Sequence, residues 1–300
     1  LALAARRFFS PAVGLIAGAG LALYAPAIFF HGLLQKSVLD LFFLTLALWL
    51  ISLLLDKHDD RRLWLALGAA MGALSLTREN ALVFIVVILV WCLGGQKRIT
   101  VRLKPDATAG KKPTPPTGVG SAFRRTMHAA TFVLGLAIVL LPVAIRNYAV
   151  GGGFYLTTSQ FGPNFFIGNN PNADGTYMSL RFGRGAPEYE RQDATELAEH
   201  ATGRTLTPSE VSSYCTGRAL DFMTGHPAQW LTLVGRKVLL VVNATEMLDT
   251  ESQESYAEYS WPLRLLGWFG HFGVLVPLAV FGMILSWPDR RRLAILYAMT

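Results

Sequence analysis

Charged residues are scarce in this chain, and their scarcity excludes a soluble globular protein. Only 16% of its 300 residues are charged, whereas 52% are apolar. A soluble domain carries nearer a quarter charged residues. Several apolar runs reach or approach the length that crosses a bilayer. The sequence therefore predicts an all-α integral membrane protein with several membrane-spanning helices.

Features that would support other classes of site are also lacking. The two cysteines, Cys92 and Cys215, lie far apart, one of them in an apolar run. Neither a disulfide nor a paired-cysteine metal site is therefore expected. His200, His226 and His271 show no metal-ligand spacing, and no glycine-rich loop opens a helix as phosphate-binding loops do. We predict no metal site and no certain cofactor, and a need for a divalent metal is left open.

The two ends of the chain lack the features of a complete protein. The sequence starts LALAARRFF, without an initiator methionine or a signal peptide, and it stops within an apolar run. We therefore expect a fragment of a longer protein that begins after an earlier apolar segment.

The positive charges are concentrated in alternate short loops. Most of the 27 Lys and Arg residues lie in the stretches 6–7, 57–62, 97–125 and 290–292. The positive-inside rule places these loops in the cytoplasm, so the long stretch 146–262 faces the other side, the periplasm of a bacterium. The net charge of +7 therefore reflects topology in an inner membrane, and no nucleic-acid partner is predicted.

This pattern divides the chain into three parts. Residues 1–146 are predicted to form transmembrane helices, interrupted at 94–128 by a basic, flexible cytoplasmic linker rich in Gly, Pro and Thr. Residues 147–262 are predicted to form an extracytoplasmic subdomain with helices. Residues 263–300 return to the membrane as the C-terminal helices.

Two apolar runs, Leu63–Leu76 and Ala81–Leu93, are short for independent spans. They are either thin or tilted helices or one pair hinged at the polar residues 77–80. Before them we expect a basic turn at Ala4–Phe9 and an amphipathic connection at Ala27–Ser37.

Within the long loop, the sequence from Thr207 to Glu210 is typical of a capped helix start, and Gly225 is expected to stop that helix. A second helix over Ala228–Val242 carries Arg236 and Lys237 among apolar residues, which favours a position at the membrane interface.

Arg78 is the first candidate for a binding residue. It follows an apolar run and precedes Glu79 and Asn80. One interpretation is an interfacial arginine that reaches the head groups or pairs with Glu79. The other is an anion clamp, because a guanidinium group offers forked donors that match a phosphate. Glu79 and Asn80 then become candidates for binding the sugar or the acceptor.

Arg146 and Lys36 present the same choice between anchoring and phosphate binding. Arg146 ends an apolar run, and its neighbours Asn147 and Tyr148 favour a polar site. Lys36 lies on the face of the membrane predicted for Arg78. His31, between two phenylalanines and a glycine, is either a hydrogen-bonded interfacial histidine or an acid–base group.

The stretch Asn164–Asp174 contains the remaining candidates. Asn and Asp are favoured in turns for conformational reasons alone. The alternative is hydroxyl recognition, since amides and carboxylates beside aromatic rings suit sugars. The candidate acceptor- or sugar-binding residues here are Asn164, Asn169, Asn170 and Asp174.

Taken in order, the stretches 22–50, 67–93, 141–175 and 206–246 resemble bacterial GT-C glycosyltransferases. These enzymes are related to dolichyl-phosphate-mannose–protein mannosyltransferases, in a superfamily that includes the aminoarabinose–lipid A transferases. The resemblance implies a polytopic helical bundle with a large extracytoplasmic loop. It also implies an inverting transferase that moves a sugar from a polyprenyl-phosphate donor to a protein, lipid or glycan in the cell envelope.

The same resemblance implies roles for particular residues. Arg78, Arg146 and Lys36 would hold the donor phosphate, and His31 stands where the family often has an acidic residue. The family's main carboxylate base belongs to an earlier loop, which is expected to precede residue 1. The alternatives are a transporter or flippase of lipid-linked sugars, which would carry ionisable residues in mid-span, and a scaffold that has lost its chemistry.

Overall fold

The structure, a computed structural model, describes residues 1–33, 35–94, 118–151, 153–242 and 251–300. All regular structure in these residues is helical, which confirms the predicted all-α class. The residues form two compact units, Leu1–Pro142 with Leu248–Thr300 (unit 1) and Val143–Met247 (unit 2). Two short 3₁₀ helices, Glu79–Ala81 and Trp287–Asp289, interrupt the α-helices.

The α-helices are numbered here in chain order, with α7 running from unit 1 into unit 2. They are α1 (Ala2–Phe8), α2 (Pro11–Ala22), α3 (Ala25–Gly32), α4 (Ser37–Leu54), α5 (Arg61–Thr77), α6 (Leu82–Leu93), α7 (Gly118–Gly151), α8 (Phe161–Gly168), α9 (Pro187–Thr202), α10 (Pro208–Gly225), α11 (Pro227–Val241), α12 (Gln253–Tyr259), α13 (Trp261–Gly267), α14 (Phe272–Ser286) and α15 (Ala294–Met299).

Three helical segments among the described residues are long and apolar enough to cross a membrane: Ser37–Leu54, Ala122–Val150 and Phe272–Asp289. A fourth crossing is formed if α2 and α3, which meet at a bend of 51°, count as one broken span. These helices support a multi-pass integral membrane protein.

Helices α5 and α6 form a hairpin that turns at Arg78. The backbone of Arg78 is extended (φ −138°, ψ 104°), which ends α5, and a 3₁₀ turn leads into α6. Near the other end of the hairpin, the rings of Trp64 and Trp91 lie 5.5 Å apart. Helix α6 therefore returns toward the start of α5, as the prediction of a pair hinged at residues 77–80 required.

Helices α5 and α7 cross at two glycines. A Cβ atom on Gly68 would lie 2.0 Å from the backbone oxygen of Phe132, and one on Gly135 would lie 2.2 Å from that of Leu65. The backbones can approach this closely only because neither glycine carries a side chain. This crossing fixes the position of α7 against the hairpin.

The loops rich in basic residues meet at one end of unit 1. The guanidinium of Arg7 pairs with the carboxylate of Asp56, and Nη2 of Arg292 donates a hydrogen bond to the backbone oxygen of Arg7 (2.9 Å). The N-terminal segment, the α4–α5 loop and the turn before α15 therefore share this end. Which side of the membrane it faces stays a prediction.

Unit 2 is built around helices α8 to α11. Its core consists of Phe166, Ala194, Ala198, Val211, Cys215 and Ala219. The start of α10 follows the predicted cap: the side chain of Thr207 accepts a hydrogen bond from the backbone of Glu210, and the Glu210 carboxylate accepts one from the backbone of Thr207. Helix α11 covers the second predicted helix almost residue for residue.

Several local predictions were wrong. Ala4–Phe9 is mostly helical, because Ala4 and Phe8 bury themselves in the core and α1 packs on α2. The expected connection Ala27–Ser37 contains most of helix α3. Asn164 lies inside helix α8, so the predicted run of turns starts later, at Asn169.

Two predictions about the helix α7 region were also wrong. Residues 118–128 of the expected linker belong to this helix, which begins at Gly118. Residues 95–117 lie outside the described residues. Arg146 does not start a loop, since the helix continues past it to Gly151.

Candidate functional site

The Arg78–Asp40 ion pair marks the candidate site. Asp40 lies in the first turn of α4, and Arg78 follows the last residue of α5. Nε of Arg78 donates a hydrogen bond of 2.6 Å to Oδ2 of Asp40. The pair ties together two helix ends that are distant in sequence, and it holds a guanidinium group at the tip of the α5–α6 hairpin.

The two partners of this pair differ in exposure. The side chain of Arg78 is 58% exposed, whereas that of Asp40 is 16% exposed. Among the described residues, the two Nη groups of Arg78 donate no hydrogen bond, and the buried Oδ1 of Asp40 has no hydrogen-bond partner. Arg78 is therefore held through its Nε atom, and its two Nη groups are available to bind a ligand.

Lys36 and His31 lie at the same end of unit 1. The hydroxyl of Ser37, the first residue of α4, donates to the backbone oxygen of Phe30 (3.5 Å) and so joins the end of α3 to the start of α4. Lys36 precedes Ser37, and His31 follows Phe30; both of these side chains are exposed. The structure therefore collects Lys36, His31 and Arg78 at one end, while their predicted roles remain predictions.

Glu79 and Asn80 form the 3₁₀ turn that follows Arg78. Glu79 is half-buried and Asn80 is exposed. Arg78 forms its ion pair with Asp40, whereas one interpretation of the sequence paired it with Glu79. The physical reason is helix packing, since α4 lies against α5 and brings Asp40 to the end of α5.

The polar residues near the end of α7 lie in unit 2. Nδ2 of Asn147 donates hydrogen bonds to the backbone oxygens of Tyr155 (3.0 Å) and Thr157 (3.2 Å). Asn147 therefore fastens the loop after α7 to the helix. Arg146 and Tyr148 are exposed, and phosphate binding by Arg146 stays a prediction.

The amide groups of Asn169 and Asn170 stabilise the turn after α8. Asn169 donates to the backbone oxygen of Phe165 (2.9 Å), and its own oxygen accepts a hydrogen bond from the Trp230 indole (3.2 Å). Asn170 donates to the backbone oxygen of Phe166 (2.9 Å). These contacts give the two amides a structural role that accounts for their presence in the turn.

Asp174 closes the next turn. Its Oδ1 accepts hydrogen bonds from the hydroxyl (2.7 Å) and the backbone nitrogen (2.8 Å) of Thr176. These hydrogen bonds, the one from the hydroxyl first, lower the pKa of Asp174 and keep it ionised. Asn164 is exposed on α8. Sugar binding by these residues stays a prediction.

Asp40 is the residue that the sequence analysis did not select. It was visible only as a single charge near the start of an apolar run. Two signals point to it: a carboxylate is costly at the edge of a span unless it has a partner, and adjacent antiparallel helices bring the start of α4 beside the end of α5. Together they place Asp40 and Arg78 at one end of the helix pair.

The first third of the chain resembles a known family of glycosyltransferases. Residues 1–107 match the family described as dolichyl-phosphate-mannose-protein mannosyltransferase. No curated protein and no solved structure matches the chain. The matched part includes α1 to α6 and therefore both Asp40 and Arg78.

This match confirms the resemblance that the sequence suggested, over the residues that it covers. It supports a membrane glycosyltransferase of the GT-C type with mannosyltransferase-like activity in general. The extension of the resemblance to residues 108–300 stays a prediction.

Proposed function

We propose that the protein transfers a sugar from a polyprenyl-phosphate donor to an acceptor at the end of unit 1 that carries Arg78. The observation that carries the proposal is the Arg78–Asp40 pair: an exposed guanidinium, held by a half-buried carboxylate, at the tip of a helical hairpin. The match of residues 1–107 to a glycosyltransferase family supports the reaction type.

Arg78 is suited to bind the donor phosphate. Its Nε is engaged by Asp40, and the two Nη groups remain for a second anion. A guanidinium matches two phosphate oxygens with parallel hydrogen bonds, which a lysine cannot do. At the end of a span, such a group meets a lipid-linked phosphate at the depth of the head groups.

Asp40 acts as a positioning residue for Arg78. A long arginine side chain loses rotamer freedom when it binds a ligand, and a carboxylate that already fixes Nε reduces that loss. The buried position of Asp40 in the first turn of α4 defines where the guanidinium lies. The pair therefore presents a preoriented donor group to the phosphate.

The proposed chemistry is an inverting displacement at the anomeric carbon. The bond between this carbon and the phosphate oxygen breaks as the acceptor oxygen or nitrogen bonds to the carbon, and a base removes the acceptor proton. Negative charge grows on the departing phosphate, so donors aimed at it lower the barrier. Arg78 supplies these donors, and Lys36, at the same end, adds positive charge.

The test compares Arg78→Ala, Arg78→Lys and Asp40→Asn in the full chain, reconstituted in nanodiscs. Binding is measured with a polyprenyl monophosphate, and transfer is measured from a panel of radiolabelled polyprenyl-phosphate hexoses. We expect Arg78→Ala to lower turnover by about 100- to 1000-fold, the cost of losing one aimed donor. Arg78→Lys should recover only part of the loss, because the fork is missing.

Asp40→Asn separates positioning from direct binding. It leaves Arg78 in place, so we expect weaker binding of the polyprenyl monophosphate, by up to about tenfold, the cost of ordering one long side chain, and a smaller loss than in Arg78→Ala. The matched control is Arg62→Ala, an exposed arginine at the opposite end of the same helix α5. Equal activity of Arg78→Ala and Arg62→Ala would contradict the proposal.

The same variants distinguish an enzyme from a transporter. In vesicles, a flippase would move a fluorescent polyprenyl-phosphate sugar between leaflets without changing it chemically. Loss of such movement in Arg78→Ala, with no sugar transfer by the unaltered chain to any acceptor tested, would favour the transporter.

A further inference from the structure

We propose that His58, Asp59 and His128 form a binding site for a divalent transition-metal ion, with Zn²⁺ as the best-suited ion. One potential ligand atom from each of the three side chains lies within 4.8 Å of the other two. His58 and Asp59 belong to the loop between α4 and α5, and His128 belongs to α7. The site joins segments that are about 70 residues apart in sequence and lies at the end of unit 1 opposite Arg78.

The chemistry of these three side chains selects the class of ion. Two imidazoles and one carboxylate are ligands that zinc binds at about 2.0–2.2 Å, and three protein ligands leave a fourth position for water or another group. Imidazole nitrogens favour zinc and other transition metals over magnesium and calcium, which prefer oxygen ligands.

His128 offers a nitrogen that the fold does not use. The residue is 3% exposed, and among the described residues its Nδ1 has no hydrogen-bond partner. A buried polar atom without a partner is destabilising. A metal ion bound at this nitrogen gives the buried imidazole the partner that it lacks.

Aromatic packing holds the two imidazoles in place. The ring of His128 stacks on the indole of Trp64 at an interplanar angle of 12°. Nε1 of Trp64 donates a hydrogen bond of 2.9 Å to the backbone oxygen of His58. The rings of His58 and His128 lie 5.3 Å apart. The one indole therefore positions the backbone of His58 and the ring of His128.

The burial of the three side chains provides a way in for the ion. His128 is buried, His58 is half-buried and Asp59 is exposed. Next to Asp59, the Asp60 carboxylate caps helix α5 by accepting a hydrogen bond from the backbone of Arg62 (2.9 Å). This cap anchors the loop. The ligand atoms lie within 4.8 Å of one another, and tetrahedral bonds of this length require a spacing of about 3.3 Å, so binding draws any two of them together by at most about 1.5 Å.

The site is distinct from the proposed transferase site. Asp40 lies in the first turn of α4, and His58 follows the last residue of this helix by a few positions. The 1.5 Å rise per residue separates Asp40 from Leu54, the last residue of α4, by about 21 Å along the axis. The two proposals stand or fall separately, because metal binding is measured without any sugar donor.

The test titrates Zn²⁺ into the full chain, purified in detergent with an affinity tag that binds no metal and stripped with a chelator. A chromophoric chelator competes for the ion, and Co²⁺ replaces Zn²⁺ for absorption spectra. We expect one equivalent of Zn²⁺ to bind, with a Co²⁺ spectrum typical of four-coordinate nitrogen and oxygen ligands. The His58→Gln and His128→Gln variants should bind at least about 100-fold more weakly, since loss of an outer support alone costs 10- to 100-fold.

Two further variants guard against misfolding and unspecific binding. Asp59→Asn changes an exposed residue, so it should keep the melting temperature of the metal-free chain while losing most of the rise that Zn²⁺ gives to the unaltered chain. His200→Gln removes an exposed histidine of α9 and should bind as the unaltered chain does. The proposal would be overturned if the unaltered chain bound no zinc. It would also be overturned if all three ligand variants bound zinc as tightly as the unaltered chain does.

Discussion

The two ends of the α4–α5 helix pair hold their polar residues in different ways. At the end with Arg78, one ion pair joins the helices, and the arginine remains 58% exposed. At the other end, His58 of the α4–α5 loop lies against rings from three helices, those of Trp64, Trp91 and His128. We call these the open end and the closed end.

The difference between the two ends is the basis of our proposals for what each end binds. At the closed end, polar contacts join neighbouring segments: the Trp64 indole donates to the backbone oxygen of His58, and Arg7 pairs with Asp56. At the open end, a guanidinium retains unused donors and Oδ1 of Asp40 lacks a hydrogen-bond partner, as far as the described part of the chain shows. We therefore propose the open end for the lipid-linked substrate and the closed end for an ion.

The largest expected effect comes from a change that disturbs both ends together. Gly68→Leu places a side chain where even a Cβ atom would lie 2.0 Å from the backbone oxygen of Phe132. Neither backbone can yield without moving its whole helix, so we expect a loss in stability beyond the usual 1–3 kcal/mol of overpacking. Fluorescence-detected size-exclusion chromatography should show loss of the folded peak.

The control for this change is Gly282→Leu in α14, where a Cβ atom meets nothing within 4 Å. It should keep the folded peak. If Gly68→Leu folded and still bound the polyprenyl monophosphate, the α5–α7 crossing would not be what holds the two ends in place.

A second change should affect the closed end alone. Trp64→Ala removes a fully buried indole and the ring on which His128 stacks. Large-to-small changes of this kind typically cost about 3–5 kcal/mol in the free energy of unfolding, here measured by titration with a denaturing detergent. Binding of a polyprenyl monophosphate at the open end should stay within twofold of the unaltered chain at temperatures where the variant is folded.

Trp268→Ala, at a residue 78% exposed, is the matched control and should leave the unfolding free energy almost unchanged. If Trp64→Ala weakened phosphate binding as much as Arg78→Ala does, the two ends would be coupled and the distinction between them would fail.

The smallest effect is expected at the rim of the closed end. Arg7→Ala breaks the ion pair with Asp56, whose side chain is 72% exposed. Exposed pairs contribute about 0.2–1 kcal/mol, and salt weakens them further. Thermal melts at low and high salt should differ less for Arg7→Ala than for the unaltered chain. A loss several times larger would show that the closed end depends on this pair more than on its aromatic core.

Much of the fold could be predicted because the bilayer limits the choices. The apolar run of α4, the capped start of α10 and the break at Arg78 follow from length, cap chemistry and a polar interruption in an apolar pattern. The wrong predictions arose where tertiary packing overrode local composition. Helix α1 looked too polar for a helix, yet its apolar side chains pack on neighbouring helices.

The candidate site could be predicted only in part. Arg78 was apparent because a charge at the end of a span requires an explanation. Asp40 and the cluster around His128 depend on contacts between residues that are tens of positions apart, which spacing along the chain does not reveal. The spacing of Asn169 and Asn170 left a role in the turn and a role in sugar binding open. In the structure, the hydrogen bonds of both amides stabilise the turn after α8.

The break at Arg78 has a geometric origin as well as a chemical one. A continuous helix over residues 61–93 would be about 50 Å long, whereas the hydrocarbon core of a bilayer is about 30 Å thick. Helix α7 runs unbroken for 34 residues, but residues 61–93 are apolar on both sides of the polar residues 77–80. A fold-back at these polar residues keeps both helices within the thickness of the lipid tails. The thickness of the bilayer thus limits where in the sequence a phosphate-binding arginine can stand: insertion of one helical turn before Thr77 would lift Arg78 by about 5.4 Å, away from the head groups that it is proposed to meet.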